Sequence, residues 1–479
     1  MSTVQRIGRN TGVLILANIA SLVLGFFFTM YVARYLGAEG FGVLSFALAF
    51  TAIFGVFTDI GLQTFMIREI ARDKALAQKY LSNIAVLKIF LVIVTFGLIA
   101  LTINLLDYPE QTINVVYLMA LSVIFNAFST MFYGVFRAYE RMEFEALGGV
   151  LSGALTLAGA FWAISHDYSV VGFASIYFIV SVITLGYSFG VSAWKSIMPR
   201  VEIDLTFWKE ALKQAWPFTL IALFGSIYYW IGILMLSSMK GQEAVGWYGA
   251  AYRLVLFLGI IPMVYLGSVF PVMSRYHNTS KELLEYIYKK SFKYLLILAV
   301  PIGAGTTILA QKIILSLFGI GYYPSIIVLQ IVIWWCALAY LSGIFMQLFL
   351  SLNRQSIAAM LVVSYALINV IFNLILIPRY SYTGASIALV AAEFVILNAG
   401  FIWSSRIGYG ISTKSLIEII AKVSIASAVM SVFVMYFENF YILALIPLSA
   451  LVYFAVLYIV RGIDKEDLLL LKSILNRSE

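Results

Sequence analysis

Apolar runs of about 20 residues or more recur along the whole sequence, and short polar turns separate them. The first of these runs extends from Gly12 to Leu36. A helix of about 20 apolar residues is long enough to cross the hydrocarbon core of a bilayer. Charged residues make up only 11% of the chain, whereas a soluble domain carries about 25%. The sequence therefore predicts an all-α integral membrane protein.

The number of apolar runs indicates the number of membrane crossings. The turns between them contain the Gly, Pro, Asp and Ser residues that favour chain reversal, as in Gly37-Ala38-Glu39-Gly40 and Pro378-Arg379-Tyr380-Ser381. We predict about fourteen transmembrane helices near residues 12–36, 41–66, 81–106, 113–136, 145–165, 170–193, 215–238, 245–270, 292–316, 325–350, 356–377, 383–404, 417–437 and 441–460.

Positive charge indicates the orientation of the chain. The sequence carries 31 Lys and Arg residues and a formal net charge of +8. With the N-terminus placed inside, 25 of the 31 fall in segments that are then cytoplasmic, and cytoplasmic loops of membrane proteins are enriched in basic residues. We therefore predict that both termini are cytoplasmic. The net charge reflects this topology, and no nucleic-acid partner is expected.

Two pairs of similar turns suggest an internal duplication. The motif Gly-x-Glu-x-x-Gly occurs at residues 37–42 and again at 241–246, an offset of 204. A Tyr-Ser-x-x-Gly motif occurs at residues 168–172 and again at 380–384, an offset of 212. Six predicted helices make up each copy, so both copies enter the membrane in the same direction. Parallel repeats of this kind are related by an axis along the membrane normal and enclose a central cavity.

The duplication predicts four regions. They are an N-terminal six-helix lobe at 1–196, a cytoplasmic interfacial linker helix at 197–214, a C-terminal six-helix lobe at 215–410, and helices 13 and 14 with a cytoplasmic tail at 411–479. Two further cytoplasmic features accompany them. The stretch Thr279-Ser280-Lys281-Glu282 has the spacing of a helix capping box, and the tail from Asp464 to Leu475 is amphipathic.

Three basic residues lie in or at the ends of predicted spans, where a charge is costly and normally faces a cavity or a partner. Arg253 lies near the bilayer midplane, where its guanidinium could hold a phosphate oxygen or form an internal ion pair. Lys88 could contact substrate or extend to the inner surface. Arg34 closes the first span near the outer surface, where anchoring or gating competes with substrate contact.

Two acidic residues also fall within predicted spans. Asp59 lies in the inner half of the second span, and Glu393 lies near the middle of the twelfth. Either could bind a coupling proton or Na⁺, or could neutralise Arg253 or Lys88. The residue types alone leave both interpretations open.

Several chemistries lack the residues they need. The single cysteine, Cys336, allows no disulfide, and two distant histidines, His166 and His277, make a metal or haem site improbable. No phosphate-binding loop of the Gly-x-x-x-x-Gly-Lys type is present. The longest polar connection is only about 20 residues, shorter than the polar domain that a membrane glycosyltransferase or polymerase usually needs. We expect no cofactor, no metal and no enzymatic activity.

A series of motifs along almost the whole chain resembles one known family. They are YVARYLG at 31–37 with Gly40 and Gly42, Asp59-Ile60-Gly61-Leu62, Arg68-Glu69-Ile70-Ala71, VGWYGAAYRL at 245–254, Pro301 with Leu317-Phe318-Gly319 and Tyr322, and Asn369, Asn373, Leu376-Ile377-Pro378 and Gly384-Ala385-Ser386. In order and spacing the chain resembles the polysaccharide (O-antigen, Wzx-type) flippases of the multidrug/oligosaccharidyl-lipid/polysaccharide (MOP) exporter superfamily.

This resemblance implies two six-helix bundles in a V, alternating access, and a cationic cavity for a polyprenyl-linked pyrophosphate saccharide. Arg253 matches an arginine that related peptidoglycan-precursor flippases use in that cavity. One departure concerns coupling, because many relatives carry an acidic residue in the seventh span where this chain has Ile231-Gly232. The last two helices form a groove for the lipid tail in some relatives, or serve as plain support.

The expected function is transport of a lipid-linked saccharide to the outer leaflet of a prokaryotic cytoplasmic membrane. The expected partners are that substrate, membrane lipids, a coupling ion (Na⁺ or H⁺) and other membrane proteins of polysaccharide assembly. A cation-coupled multidrug exporter of the same fold is the alternative, although it would favour an acidic cavity. A membrane glycosyltransferase or polymerase is a more distant alternative.

Overall fold

The computed structural model describes residues 3–195, 197–277, 279–464 and 467, with side chains from residue 12 onward. No strand occurs among these residues, so the predicted all-α fold is confirmed. The helices are α1 (Thr3–Gly55), α2 (Leu62–Arg72), α3 (Ala77–Leu105), α4 (Glu110–Ala138), α5 (Glu143–Ser165), α6 (Val170–Trp194), α7 (Leu205–Lys240), α8 (Gln242–Leu258), α9 (Ile260–His277), α10 (Lys281–Phe318), α11 (Ser325–Ser351), α12 (Gln355–Arg406), α13 (Thr413–Tyr436) and α14 (Ile442–Ile459).

The described residues contain 12 helical stretches long and apolar enough to cross a membrane. Two of them, within α1 and α12, each comprise two helices that meet at a kink with non-helical backbone, at Gly37 (φ 67°) in α1 and at Ser381 (φ 52°) in α12. Both kinks fall at turns predicted from the sequence. The predicted count of fourteen corresponds to counting each kinked helix as two. That count and the orientation in the membrane stay predictions.

The second predicted span, 41–66, ends earlier than expected. Helix α1 stops at Gly55, a short 3₁₀ turn covers Val56–Thr58, and α2 begins at Leu62. The cause is backbone conformation, because Ile60 (φ 42°) and Gly61 (φ 78°) both have positive φ and cannot continue a right-handed helix. The Asp59 carboxylate accepts a hydrogen bond from the backbone N–H of Gln63 at 3.1 Å and so stabilises the start of α2.

The eighth predicted span is broken in its second half. Helix α8 ends at Leu258, and α9 begins at Ile260. Pro262 explains the break, because proline has no N–H and its ring conflicts with the carbonyl four residues earlier, which belongs to Leu258. The Tyr340 hydroxyl on α11 donates a hydrogen bond of 2.6 Å to that carbonyl. A side chain from another helix therefore replaces the missing backbone donor.

The linker between the two predicted repeats differs from the separate helix predicted at 197–214. Residues 197–204 have no regular structure, and Leu205 starts the long α7 with the Asp204 side chain as its N-cap. Side chains of α3 hold the linker: Ser82 Oγ accepts from the Arg200 N–H at 2.8 Å, and Asn83 Oδ1 accepts from the Asp204 N–H at 2.9 Å. These two hydrogen bonds satisfy backbone N–H groups of the linker that would otherwise be bonded within a helix.

Two compact units can be distinguished. The first comprises Met1–Arg253 with Ala366–Ala385, and the second comprises Leu254–Tyr365 with Ser386–Glu479. The four regions predicted from the repeat remain a prediction.

Each unit has its own buried core. In the first, buried residues such as Leu62, Phe136 and Ala211 pack together. In the second unit, the buried core is formed by residues of α10, α13 and α14, such as Leu309, Val423 and Leu457.

The start of α10 lies close to its prediction. Ser280, rather than Thr279, caps the helix by accepting a hydrogen bond from the Leu283 N–H at 3.3 Å. Of the predicted amphipathic tail, only Asp464 and Asp467 belong to the described residues. The rest of the tail lies outside them.

Candidate substrate site

Arg253 is the best candidate for binding an anionic substrate. It lies on α8 in the first unit and is half-buried. Its Nη1 lies 3.5 Å from the Thr29 hydroxyl on α1, and its guanidinium carbon lies 5.3 Å from the centre of the Phe41 ring. The guanidinium also interacts with the hydroxyl of Tyr177 on α6. The arginine is therefore surrounded by neutral polar and aromatic groups.

A second feature of Arg253 is the absence of an acidic neighbour among the described residues. Within the part of the chain that the structure describes, no carboxylate forms an ion pair with this guanidinium. An unbalanced charge in a membrane span is costly and normally marks a ligand site or an aqueous cavity. The planar guanidinium can bind two oxygens of a phosphate group at once. The arrangement therefore suits a phosphate-bearing ligand better than a cation.

Lys88 has a different environment. Its side chain is fully buried, and its ammonium lies 2.9 Å from Asp59 Oδ1 and donates a second bond of 2.9 Å to the Ala127 carbonyl. The sequence left open whether Asp59 binds a coupling ion or neutralises a basic residue. The observed distance shows that Asp59 neutralises Lys88. Contact between Lys88 and substrate would require this ion pair to open. The Asp59 carboxylate is likewise occupied, by Lys88 and by the Gln63 N–H.

The other two predicted residues are not part of the Arg253 cluster. The side chain of Arg34 is exposed, three residues before the kink at Gly37, and it is not among the residues that contact Arg253. Glu393 on α12 belongs to the second unit and is 1% exposed. Its carboxylate accepts a short hydrogen bond from the Ser342 hydroxyl on α11.

Sequence reasoning missed Thr29, Phe41 and Tyr177, which line the Arg253 guanidinium. The candidates from the sequence were charged residues in apolar spans, and these three residues are uncharged. Thr29 lies 224 positions from Arg253 in the chain, so no local pattern links them. A search for hydroxyl-bearing residues in otherwise apolar spans would have included Thr29 and Tyr177, together with many residues that only pack.

Gly232, at the position where the family resemblance implies an acidic residue, has neutral surroundings. A side chain at Gly232 would point to within 3.7 Å of the Tyr248 hydroxyl and 3.9 Å of Asn373 Oδ1. Asn373 is fully buried, and its amide nitrogen donates to the Asn369 carbonyl at 2.8 Å. No group of three or more His, Cys, Asp or Glu side chains able to hold a metal occurs among the described residues.

Two curated relatives of this chain are named for the biosynthesis of a polysaccharide or a glycan. It is 23% identical over 419 residues to the capsular polysaccharide biosynthesis protein CapF of Staphylococcus aureus, covering 83% of this chain and 99% of the relative. It is 23% identical over 409 residues to a probable low-salt glycan biosynthesis flippase, Agl15, of Haloferax volcanii, covering 83% of this chain and 84% of the relative.

Solved structures with the same fold are transporters. The lipid II flippase MurJ in an inward closed conformation has a TM-score of 0.75 at 18% identity, covering 95% of this chain and 100% of that chain. An inward-facing multidrug resistance MATE family transporter of the MOP superfamily has a TM-score of 0.63 at 18% identity, covering 81% of this chain and 94% of that chain. At these identities the likeness concerns the fold.

The family assignment rests on a direct match. Residues 7–277 match the family described as polysaccharide biosynthesis protein. The resemblance to polysaccharide flippases, based on motifs from residue 31 to residue 386, is confirmed by this match together with the relatives. The fold is shared with solved transporters of the MOP superfamily. The chain is a multi-pass membrane protein that belongs to the polysaccharide biosynthesis protein family.

Proposed function

We propose that this protein flips a polyprenyl-(pyro)phosphate-linked oligosaccharide from the cytoplasmic to the outer leaflet by alternating access. The observation that carries the proposal is Arg253, half-buried in a membrane span with neutral neighbours and no carboxylate partner among the described residues. Relatives named as flippases and the fold shared with a lipid II flippase support it. The protein acts as a transporter and not as an enzyme.

The physical problem that such a protein solves is the polar head of the substrate. A saccharide bearing phosphate charges cannot enter hydrocarbon without a large desolvation cost. A membrane-embedded guanidinium offsets part of this cost by binding the phosphate oxygens. The polyprenyl tail can stay in the bilayer throughout, so only the head needs a protected path.

A cation-coupled multidrug exporter of the same fold is the second candidate, supported by the MATE structures. That function needs an accessible acidic residue to bind the coupling cation. Asp59 is paired with Lys88, and the carboxylate of Glu393 is buried and bonded to Ser342. Arg253, which has no acidic partner among the described residues, therefore favours an anionic substrate.

We place the protein in the cytoplasmic membrane of a prokaryote, where lipid-linked saccharides are assembled on the inner face. The outward step requires enzymes that build the substrate before it and polymerise or transfer the saccharide after it. Other membrane proteins of polysaccharide assembly are therefore its expected partners.

The test is transport in liposomes that contain the purified protein and a fluorescent polyprenyl-pyrophosphate saccharide. A membrane-impermeant quencher reports which leaflet holds the head group. We expect transport by the wild type and its loss in Arg253→Ala. The matched control is Arg379→Ala, because Arg379 is exposed and lies in a predicted outer turn. Absence of transport by the wild type under any ion gradient or potential would contradict the function, and full transport by Arg253→Ala would contradict the site.

A further inference from the structure

Two glycines in the first unit make a reciprocal backbone contact. A Cβ atom built on Gly42, in α1, would lie 1.8 Å from the carbonyl oxygen of Gln242. A Cβ built on Gly246, in α8, would lie 1.8 Å from the carbonyl oxygen of Ala38. All four residues belong to the two Gly-x-Glu-x-x-Gly motifs. The two contacts are equivalent to each other, because Gly42 corresponds to Gly246 and Ala38 corresponds to Gln242 at the offset of 204.

The backbone around the two motifs has the same conformation. Gly37 has φ 67° and ψ −178°, and the equivalent Gly241 has φ 84° and ψ −179°. Both conformations favour glycine, because the positive φ strains any other residue. The two turns therefore start their following helices in the same way, and they meet across a local two-fold axis. This contact is the structural counterpart of the repeat seen in the sequence.

No side chain can be accommodated at this contact. At 1.8 Å the opposing atom is a backbone carbonyl oxygen, which cannot move aside as a flexible side chain can. Small residues allow helices to approach closely in membranes, where packing and weak Cα–H···O bonds hold them together. An added methyl group at either glycine must separate the two turns.

The location of the contact relates it to Arg253. Both motifs lie in turns that the charge distribution predicts to be on the outer side. Gly246 and Arg253 are seven residues apart on α8, so the contact lies about 10 Å towards that side from the arginine. A group bound at Arg253 must pass this level to reach the outer leaflet.

We infer that the Gly42–Gly246 contact is the outer gate of the transport path, and that it must open for the polar head to leave. This inference rests on the proposed function. It identifies glycine at both positions as the feature that allows the gate to close. An alanine at either position holds the turns apart and shifts the protein towards an arrangement that is open on the outer side.

Glu39 and Glu243 provide reporter positions, because they are exposed equivalents in the two motifs and take no part in the contact. Spin labels on Glu39→Cys and Glu243→Cys measure the separation of the turns without any substrate. We expect a longer distance in Gly42→Ala and in Gly246→Ala, and little further increase in the double variant. Gly25→Ala is the control, since nothing lies within 4 Å of a Cβ at that position in α1. Wild-type distances in both folded glycine variants would overturn the inference.

A second experiment does not depend on whether the alanine variants fold. The Glu39→Cys, Glu243→Cys pair is joined by a short cleavable cross-linker, and transport is measured before and after cleavage. If the contact is a gate, the cross-link reduces transport to the level of protein-free liposomes and cleavage restores it. Undiminished transport in the cross-linked protein would show permanent packing and overturn the inference. The label distances can be measured even if the substrate assay fails, so the gate and the proposed function can fail separately.

Discussion

The hydroxyl of Tyr453 on α14 donates a hydrogen bond of 2.8 Å to the backbone carbonyl of Ile297 on α10. Pro301 lies four residues after Ile297 and cannot supply the N–H that would normally bond to this carbonyl. Tyr453 is 1% exposed, so water cannot take its place. The same arrangement joins Tyr340 to the Leu258 carbonyl, which Pro262 leaves without a helical donor.

Tyr453→Phe should destabilise the protein by about 1–3 kcal/mol, because it leaves a buried carbonyl without a donor. Thermal or denaturant unfolding in detergent measures the change. Pro301→Ala restores an N–H four residues after Ile297, so the same Tyr→Phe change should cost less in that background. An equal cost in both backgrounds would show that Tyr453 contributes by packing alone.

Arg253→Lys should keep part of the transport activity, and Arg253→Ala should reduce the initial rate at least about tenfold, the equivalent of about 1.4 kcal/mol. Lysine retains the positive charge but cannot bind two phosphate oxygens in one plane. The leaflet assay with the fluorescent lipid-linked saccharide measures both rates. If lysine and alanine lowered the rate equally, the charge of Arg253 would not be what the substrate recognises.

Lys88→Met should destabilise the fold by about 3–5 kcal/mol, because it leaves the Asp59 carboxylate without its buried partner. Asp59→Asn in the same chain should recover most of this loss, since no charge then remains to be balanced. Unfolding of the two single variants and the double variant forms a cycle that isolates the pair. If the two losses of unfolding free energy were additive, the ion pair between Lys88 on α3 and Asp59 in the segment after α1 would not contribute to stability.

The stability of the N-terminal half of α10 should fall in acid, because Lys290 and Lys293 of that half bind Asp467. Burial alone would raise the pKa of Asp467, but hydrogen bonds from Lys290 and Lys293 outweigh it and hold that pKa well below its usual range. A lowered folded-state pKa contributes stability at pH values above the unfolded pKa of about 4, and this stability is lost as the pH falls towards the folded value.

The measurement compares the wild type with Asp467→Asn by unfolding between pH 7 and pH 3. The difference in unfolding free energy should be constant above about pH 5 and shrink below about pH 4. Asp464→Asn is a comparison, because Asp464 is exposed and bonds Lys293 at 2.6 Å from the rim of the same cluster. If the difference did not change with pH, the effect of Asp467→Asn would come from altered packing and not from the lost charge.

The sequence by itself determined the membrane-spanning all-α architecture and most helix boundaries. The turns at Gly37 and at Ser381 and the start of α10 near Ser280 were all readable locally. These features follow from the thickness of the bilayer and from residues that favour turns or caps, both of which act over a few consecutive positions. The glycines shared by the turns at 37–42 and 241–246 were also readable locally, and the duplication that they suggest stays a prediction.

Only the tertiary structure decided which charges are balanced and which are not. Lys88 and Asp59 are 29 positions apart and pair because the chain breaks its helix at Ile60 and Gly61. The neighbours of Arg253 come from α1 and α6, far away in sequence. The energy of a charge in a membrane depends on the atoms within a few ångströms of it. The packing of distant helices, and not the local sequence, sets which atoms those are.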